Sequence, residues 1–449
     1  MKVDVLLVVD NAYRELPGLT IIKYYLEGMG YTVRFTSRFS IRFALAKYRP
    51  KMVILTSAIY PYIPELSKVS FVCVLPSESG NGQRRQVIDI HGGTFINKLY
   101  TKNVDMFFSW GEQMSDWLIE SGIYQKEQVY TTGNPSTDQW MIKRERKINS
   151  KVGLTSTLRS LANSMDVGSS DFIKYLFESE LNGGDGTYFS PPNHIEAWLH
   201  WEVSFLRVIC NLTHELIIPN NIQLEIRPHP FESIEKYSYL IQRSKNLISV
   251  RKEGPITDWF QNIDLLITYM SASAVDAFVY GIPVLSLKKI LNQDALRNVP
   301  QGFIYDYYDY FWEPDNIESL RECIQENEKG NLPLAPKLKE LEEYIQRQFN
   351  FPRAKPAGQL IAESIDSFFK KNKSRDIKNI PSSLHILNAK ADLFWKLPLS
   401  EETVLFLNAL REKFIGIGNR SGFHYTYHPW NSELKNKSKK ILEQLLKSL

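Results

Sequence analysis

The sequence predicts an α/β fold of two Rossmann-like domains that face each other across a cleft, followed by a helical C-terminal extension. Short apolar runs rich in β-branched residues recur along the chain, and amphipathic helical patterns separate them. Strands that are apolar throughout are typical of parallel sheets covered by helices on both faces. The chain of 449 residues also exceeds what one hydrophobic core usually organises. These observations indicate two α/β domains rather than one.

The first half of the chain contains six predicted strands. Between them lie amphipathic stretches such as "LTIIKYYLEGMG" and "GEQMSDWLIESG", which have the spacing of surface helices. We therefore predict that residues 1–140 form one complete Rossmann-like domain. The six runs are "VDVLLVV" (3–9), "YTVRFTS" (31–37), "KMVILTS" (51–57), "SFVCVLP" (70–76), "VDMFFSW" (104–110) and "QVYTTGN" (128–134).

The second half repeats this alternation after a charged linker, "MIKRERKINSK" (141–151). We predict a second Rossmann-like domain over 152–365, with a long insert at 158–220 that ends in a helix from about 193 to 217. The remaining residues, 366–449, are predicted to be a helical extension whose role the sequence does not indicate. The five strand-like runs are "VGLTST" (152–157), "QLEIRP" (223–228), "NLISV" (246–250), "LLITY" (265–269) and "PVLSL" (283–287).

Composition restricts the class of protein. A hydrophobic fraction of 43% and a charged fraction of 23% are typical of soluble globular proteins, and no apolar run approaches a transmembrane span. The net charge of +4 is too small for a dedicated nucleic-acid binder but suits anionic substrates. Three scattered cysteines without CxxC spacing argue against a zinc site or a disulfide framework. We predict a cytoplasmic protein.

Ligands of open α/β sheets bind outside the carboxyl ends of strands, so polar residues directly after strands are the candidates for function. In "LEIRPHPFES" (224–233) an apolar run ends at Arg227 and His229, beside two prolines. Pro228 and Pro230 lack backbone N–H donors, so side chains must supply the polar contacts. We predict that Arg227 grips a phosphate and that His229 donates to, or protonates, a leaving phosphate oxygen. The plain alternative is that His229 caps a neighbouring loop.

A second candidate follows the run at 265–269. In "TYMSASAVDAFVYG" a strand leads into Ser271 and Ser273, and a helical pattern begins there. Hydroxyl groups and free amides at a helix start can bind an anion, although serine is also an ordinary helix cap. A cap requires one serine, so the pair favours a ligand contact.

Two candidates follow strands of the first half. Glu78, in "LPSESGNGQ" (75–83), is predicted to remove a proton from an acceptor hydroxyl, with a solvated loop acid as the alternative. His91, in "DIHGGTF" (89–95), precedes two glycines that allow close backbone approach, and it is a candidate for acceptor binding or a second acid/base role.

Further residues are predicted as contacts at the cleft or the hinge. Arg14 and Glu15 follow the first strand, in "DNAYRELPG". Gly133, Asn134 and Asp138 lie in "YTTGNPSTDQW", which closes the first domain. Ion pairs between loops and a structural hinge turn are the respective alternatives.

Three stretches together carry a resemblance to a known family: "SWGEQMSDWLIESGIYQKEQVYTTGNPSTD", "RPHP" and "YMSASAVDA". They resemble the bacterial surface-carbohydrate (polysaccharide and lipopolysaccharide) biosynthesis proteins of GT-B type, near the sialyltransferases, Kdo transferases and CDP-glycerol polymerases. The resemblance covers about residues 1–300. It implies that an HP motif (His229, Pro230) and a serine pair (Ser271, Ser273) hold the phosphate and nucleotide of a CMP-sugar donor. It implies that the domain over 1–140 receives the acceptor and that the domain over 152–365 binds the nucleotide sugar. It also implies a carboxylate in the first domain, for which "SESGNG" offers only Glu78.

These observations predict a glycosyltransferase that moves a CMP-linked acidic sugar to a growing bacterial surface glycan, free or lipid-linked. No D-x-D triplet occurs in the chain, so we predict a metal-independent enzyme without a cofactor beyond its nucleotide-sugar co-substrate. The basic segment 435–449 offers a peripheral contact with the inner face of the cytoplasmic membrane, and a solvated helix is the alternative.

Three other functions fit the same pattern. A CDP-alditol phosphotransferase would transfer phosphate together with its alcohol. A UDP-GlcNAc 2-epimerase-like enzyme would need no acceptor. A non-catalytic polysaccharide-assembly protein would not depend on Arg227 or His229 at all.

Overall fold

The computed structural model describes residues 3–10, 12–38, 40–77, 96, 98–142, 151–158, 161, 193–229, 232–254, 256–297, 306–372 and 432–448. The chain forms two compact units. The first unit combines Met1–Lys143 with Ile345–Leu449, and the second comprises Arg144–Tyr344. No helix in the described part of the chain is long and apolar enough to cross a membrane.

The first unit contains a six-stranded parallel sheet in the order β2-β1-β3-β4-β5-β6. Its central strands are buried along their whole length, because helices cover both faces of a parallel sheet. All six predicted strands are confirmed. They are β1 (Val5–Val9), β2 (Val33–Ser37), β3 (Met52–Leu55), β4 (Phe71–Val74), β5 (Met106–Ser109) and β6 (Val129–Thr131).

The helices of this unit follow the strands in the order that the alternating pattern predicts. Helix α1 buries Leu19 and Ile22 in the same hydrophobic cluster as β1 and β3. The segment Pro135–Met141 after β6 is a 3-10 helix. The α-helices before it are α1 (Ala12–Gly28), α2 (Ile41–Tyr48), α3 (Ile63–Leu66) and α4 (Glu112–Glu120).

The second unit contains a five-stranded parallel sheet in the order β11-β10-β7-β8-β9. The five predicted strands are confirmed as β7 (Lys151–Thr155), β8 (Gln223–Arg227), β9 (Ile248–Val250), β10 (Leu265–Thr268) and β11 (Val284–Ser286). The predicted helix near 193–217 is α5 (Asn193–Asn211), continued by a π-helical turn at Leu212–Ile217. The other helices are α6 (Ser238–Arg243), α7 (Ile256–Phe260), α8 (Ser273–Val279), α9 (Gln293–Arg297), α10 (Ile317–Glu328) and α11 (Leu338–Phe349).

The chain returns to the first unit within α11, at Ile345, whereas the sequence predicts a boundary at residue 365. Helix α12 (Ala357–Lys371) buries Ile361 and Ile365 in the main cluster of the first unit. A Cβ atom on Gly358 would lie 2.6 Å from the Ile21 Cγ2 atom, so α12 packs tightly on α1. The apolar face of α12 thus completes the core of the first unit.

The last described helix, α13 (Ser432–Ser448), also packs on α1. Its Leu442 and Leu445 are buried in a cluster with Ile21. Lys439 and Lys440 are exposed. Leu446 on the same helix is exposed as well. A peripheral membrane contact by this segment stays a prediction.

Each sheet has a point where the strand order reverses. In the first sheet β2 and β3 flank β1 on opposite sides, and in the second sheet β8 and β10 flank β7. Ligands of open α/β sheets bind at the carboxyl ends of strands beside such a reversal. In the second unit this rule indicates the ends of β7 and β10 as a ligand site.

Candidate functional site

The serine pair lies directly after β10, on a backbone held in an uncommon conformation. Met270 has a φ of +55°, in the left-handed region that costs a residue with a side chain about 1–2 kcal/mol. The Tyr308 hydroxyl accepts a hydrogen bond from the Ser271 N–H (2.8 Å) and lies 2.9 Å from the Ser271 carbonyl oxygen. Such local strain is typical of functional sites, where the surrounding structure maintains it.

The Ser271 and Ser273 hydroxyl oxygens lie 2.6 Å apart. The Ser271 hydroxyl also accepts a hydrogen bond from the Ser273 N–H (3.3 Å), at the start of α8. Helix α8 has seven residues, so its dipole contributes less than that of a long helix. The predicted contact with an anion would therefore depend on the hydroxyl groups of this segment more than on the helix start.

Three hydroxyl side chains lie at or just after the end of the neighbouring strand, β7, and they are not among the residues predicted from the sequence. The hydroxyl groups of Thr155 and Thr268 are hydrogen-bonded to each other, which joins β7 to β10 at the reversal point. Ser156 is buried. The Thr157 side chain is also buried, at 3% exposure, and its hydroxyl has no partner among the described residues. The available sequence signal was the "TST" triplet at the end of the run at 152–157.

His229 is half-buried beyond the end of β8 and is bonded to Glu232. The His229 N–H donates to the Glu232 Oε1 atom (3.2 Å), and the Glu232 N–H donates to the His229 carbonyl oxygen (2.8 Å). The Lys252 ammonium, after β9, donates to the Glu232 carbonyl oxygen (2.6 Å). The structure therefore adds Glu232 and Lys252 to the surroundings of His229. Neither was selected from the sequence.

Glu232 is fully buried, and its carboxylate is bonded to the Tyr237 hydroxyl. Burial raises the pKa of Glu232 to about 7, and the Glu202 charge adds to the rise. Hydrogen bonds from Tyr237, Ser156 and the His229 N–H oppose it. A carboxyl group with a pKa near neutral thus lies next to His229, the residue predicted to contact a phosphate.

The Arg227 side chain is hydrogen-bonded to the loop after β9, in the second unit. Its guanidinium group donates to the carbonyl oxygens of Arg251 (3.2 Å), Glu253 (2.8 Å) and Gly254 (2.5 Å). These bonds hold the loop after β9 against the end of β8. These bonds use three of the five N–H donors of the guanidinium group. Contact between Arg227 and a phosphate stays a prediction.

The candidates of the first unit divide into described and undescribed residues. Glu15 is buried in α1, and its Oε2 atom accepts a hydrogen bond from the Asp10 N–H (2.7 Å). Arg14 lies in the same helix, but its side chain is outside the described residues, as are Glu78, His91 and, in the second unit, Pro230. In the described part of the chain, no three His, Cys, Asp or Glu side chains lie together as a metal site.

The predicted hinge residues form part of the interior of the first unit. Gly133 has a φ of +81°, which favours glycine. The Asn134 side chain accepts from the Ser136 N–H (2.8 Å) and donates to the Pro76 carbonyl oxygen (2.8 Å). Asp138 is fully buried and is ion-paired with Arg353. The bonds described here are all made within the first unit.

The pKa of Glu232 predicts how the stability of the protein depends on pH. The folded chain binds this proton more tightly than the unfolded chain, so stability falls as pH rises from about 4.5 to about 7. The total decrease in the free energy of unfolding over this range is about 3 kcal/mol. We expect Glu232→Gln to remove this decrease, as measured by urea unfolding at several pH values. The exposed Glu235 gives a control, Glu235→Gln, which should retain the wild-type dependence. If the free energy of unfolding depends on pH in the same way for the wild type and Glu232→Gln, the raised pKa of Glu232 is contradicted.

Comparison with known proteins places the fold. No protein-family model and no curated protein sequence matches the chain. Two solved structures of the wall teichoic acid polymerase TagF are similar. The match to a variant has a TM-score of 0.51 at 12% identity, and the match to a second TagF structure has a TM-score of 0.50 at 13% identity. Each covers 82% of this chain and 89% of the other. A UDP-GlcNAc 2-epimerase from Methanocaldococcus jannaschii has a TM-score of 0.46 at 12% identity, covering 82% and 100%.

The similarity to TagF, together with the two parallel sheets, shows the fold class. The chain is an α/β protein whose fold is of GT-B type, with two Rossmann-like units and with helices in the described part of residues 345–449. The predicted α/β class with two Rossmann-like units is confirmed, and their arrangement across a cleft stays a prediction.

Proposed function

We propose that this chain is a transferase that uses a nucleotide-activated donor in the assembly of a bacterial surface glycan. The fold that it shares with a wall teichoic acid polymerase supports this class of reaction. The donor is proposed to be a CMP-linked acidic sugar, and the acceptor a growing or lipid-linked glycan. The reaction needs no metal ion in this proposal, because the charge of the leaving phosphate would be received by side-chain donors.

The observation that carries the proposal is the serine pair at the reversal of the second sheet. Two hydroxyl groups 2.6 Å apart follow β10 on a backbone fixed by Tyr308, beside the hydroxyl-rich end of β7. Hydroxyl donors fixed in advance can stabilise the negative charge that develops on a leaving nucleotide phosphate. His229, two residues beyond the end of β8, is proposed to donate to, or protonate, the same phosphate.

A nucleotide thermal-shift experiment tests this proposal. We expect CMP to raise the unfolding temperature of the wild type more than CDP, UDP or GDP does, because a ligand stabilises only the state that binds it. The double variant Ser271→Ala/Ser273→Ala should bind the same nucleotide at least ~10-fold more weakly, since hydrogen bonds to a charged group contribute about 1.5–3 kcal/mol. The exposed Ser238 supplies the control Ser238→Ala. Equal stabilisation of all three proteins, or of none, would contradict the proposal.

A second candidate function is a CDP-alditol phosphotransferase, favoured by the match to a polymerase of wall teichoic acid. Both reactions release CMP, but they differ in the group transferred. The phosphotransferase would move phosphorus into the glycan, and the glycosyltransferase would not. Phosphorus analysis of the product made from each class of donor therefore separates them.

A further inference from the structure

Glu232 connects the ends of two strands in the second unit. Its carboxyl group accepts a hydrogen bond from the His229 N–H beyond β8. The same carboxyl group is bonded to the Tyr237 hydroxyl, which lies 2.6 Å from the Ser156 hydroxyl after β7. Ser156 itself is hydrogen-bonded to the carboxyl group. Displacement of this single carboxyl group would therefore loosen contacts on two strand ends.

The backbone of Glu232 is hydrogen-bonded as well as its side chain. Its N–H donates to the His229 carbonyl oxygen (2.8 Å), and its carbonyl oxygen accepts from Lys252 (2.6 Å). His229 and Glu232 thus bond to each other in both directions. The position of His229 relative to the sheet depends on where Glu232 is held.

We propose that Glu232 is a positioning residue, which fixes His229 at the carboxyl edge of the second sheet through the Tyr237 and Ser156 hydroxyl groups. The consequence for catalysis rests on the proposed function, in which His229 meets the donor phosphate. The placement of His229 by Glu232 can be tested without it.

If Glu232 had only a structural role, a side chain that does not ionise would fill its position at a lower cost in folding free energy. Ionising a buried carboxyl group near neutral pH costs folding free energy, and the raised pKa of Glu232 reflects that cost. Buried carboxyl groups with shifted pKa values are concentrated at functional sites. Glutamine has the same shape and would avoid the cost, yet it cannot offer two acceptor oxygens to His229, Tyr237 and Ser156.

The direct test is NMR of the histidine rings in the full-length protein labelled with ¹³C at histidine Cε1. The chain has eight histidines, and the His229→Ala variant assigns the His229 signal. We expect Glu232→Gln and Tyr237→Phe to move or broaden the His229 signal and to leave the other signals in place. The control Glu235→Gln, at an exposed residue, should change none of them. An unmoved His229 signal in Glu232→Gln would overturn the proposal.

Nucleotide affinity is a second measurement, and a purely structural role of Glu232 would not change it. We expect Glu232→Gln to lower nucleotide affinity at least threefold at pH 8 while its unfolding temperature stays at or above that of the wild type. In the His229→Ala background the same substitution should have no further effect on affinity, because it acts through His229. Additive losses of affinity in the double variant would overturn the proposal. So would a loss of affinity in Glu232→Gln that occurs only together with a loss of stability. A wild type that binds no nucleotide would instead refute the proposed function, while the histidine signals would still test the role of Glu232.

Discussion

Replacement of His229 with alanine is expected to lower kcat about 100-fold. In the proposed reaction the imidazole meets the phosphate as the glycosidic C–O bond breaks. One such donor contributes ~3 kcal/mol to stabilising a transition state. The measurement is steady-state release of the nucleoside monophosphate, with the donor that the thermal-shift experiment identifies. Because the charge develops mainly in the transition state, KM should change much less than kcat.

His200 gives a matched control for this substitution. It is exposed on α5 in the same unit, so His200→Ala should keep the wild-type kcat. The unfolding temperature of His229→Ala should stay near that of the wild type, because the side chain is only half-buried. A kcat for His229→Ala within threefold of the wild type would remove His229 from the reaction.

Replacement of Asp138 with asparagine is expected to destabilise the first unit by about 3–5 kcal/mol. Asp138 is 0% exposed and its partner Arg353 is 4% exposed, so the loss of the carboxylate leaves a buried cation without its counter-charge. The carboxylate also accepts from the N–H groups of Ala357 (2.6 Å) and Gly358 (2.9 Å), at the start of α12. A single amide oxygen cannot serve all three donors. Urea unfolding and the unfolding temperature measure the loss.

Two further variants test the reason for this effect. Asp116 is exposed on α4 in the same unit, and Asp116→Asn should leave stability within about 0.5 kcal/mol of the wild type. The double variant Asp138→Asn/Arg353→Met should be more stable than Asp138→Asn alone, because it buries no unpaired charge. If Asp138→Asn is as stable as Asp116→Asn, the buried ion pair does not anchor α12.

The strands could be predicted from the sequence because each is a continuous apolar run. A parallel strand covered on both faces has this local signature, and all eleven predicted runs are strands in the structure. The return of the chain to the first unit could not be predicted in this way. Helix α12 has an ordinary amphipathic pattern, and only the tertiary contacts of residues such as Ile361 decide which core it joins.

The site could be predicted in part, for a similar reason. The rule of carboxyl strand ends selects His229 and the serine pair from local sequence alone. The same rule gives no means of seeing that Arg227 is bonded to three backbone carbonyl groups, or that Asp138 is fully buried. Glu232 was missed because its properties come from burial between Tyr237 and Ser156, which are distant from each other in the chain.

The proposed phosphate site lies at the carboxyl edge of the second sheet. Hydrogen exchange measured by mass spectrometry, with and without saturating nucleotide, tests this location. We expect slower exchange in peptides that span residues 155–158, 226–232 and 268–274, because ligand binding suppresses local opening at the bound segments. Protection confined to segments of the first unit, or unchanged exchange in all three peptides, would contradict it.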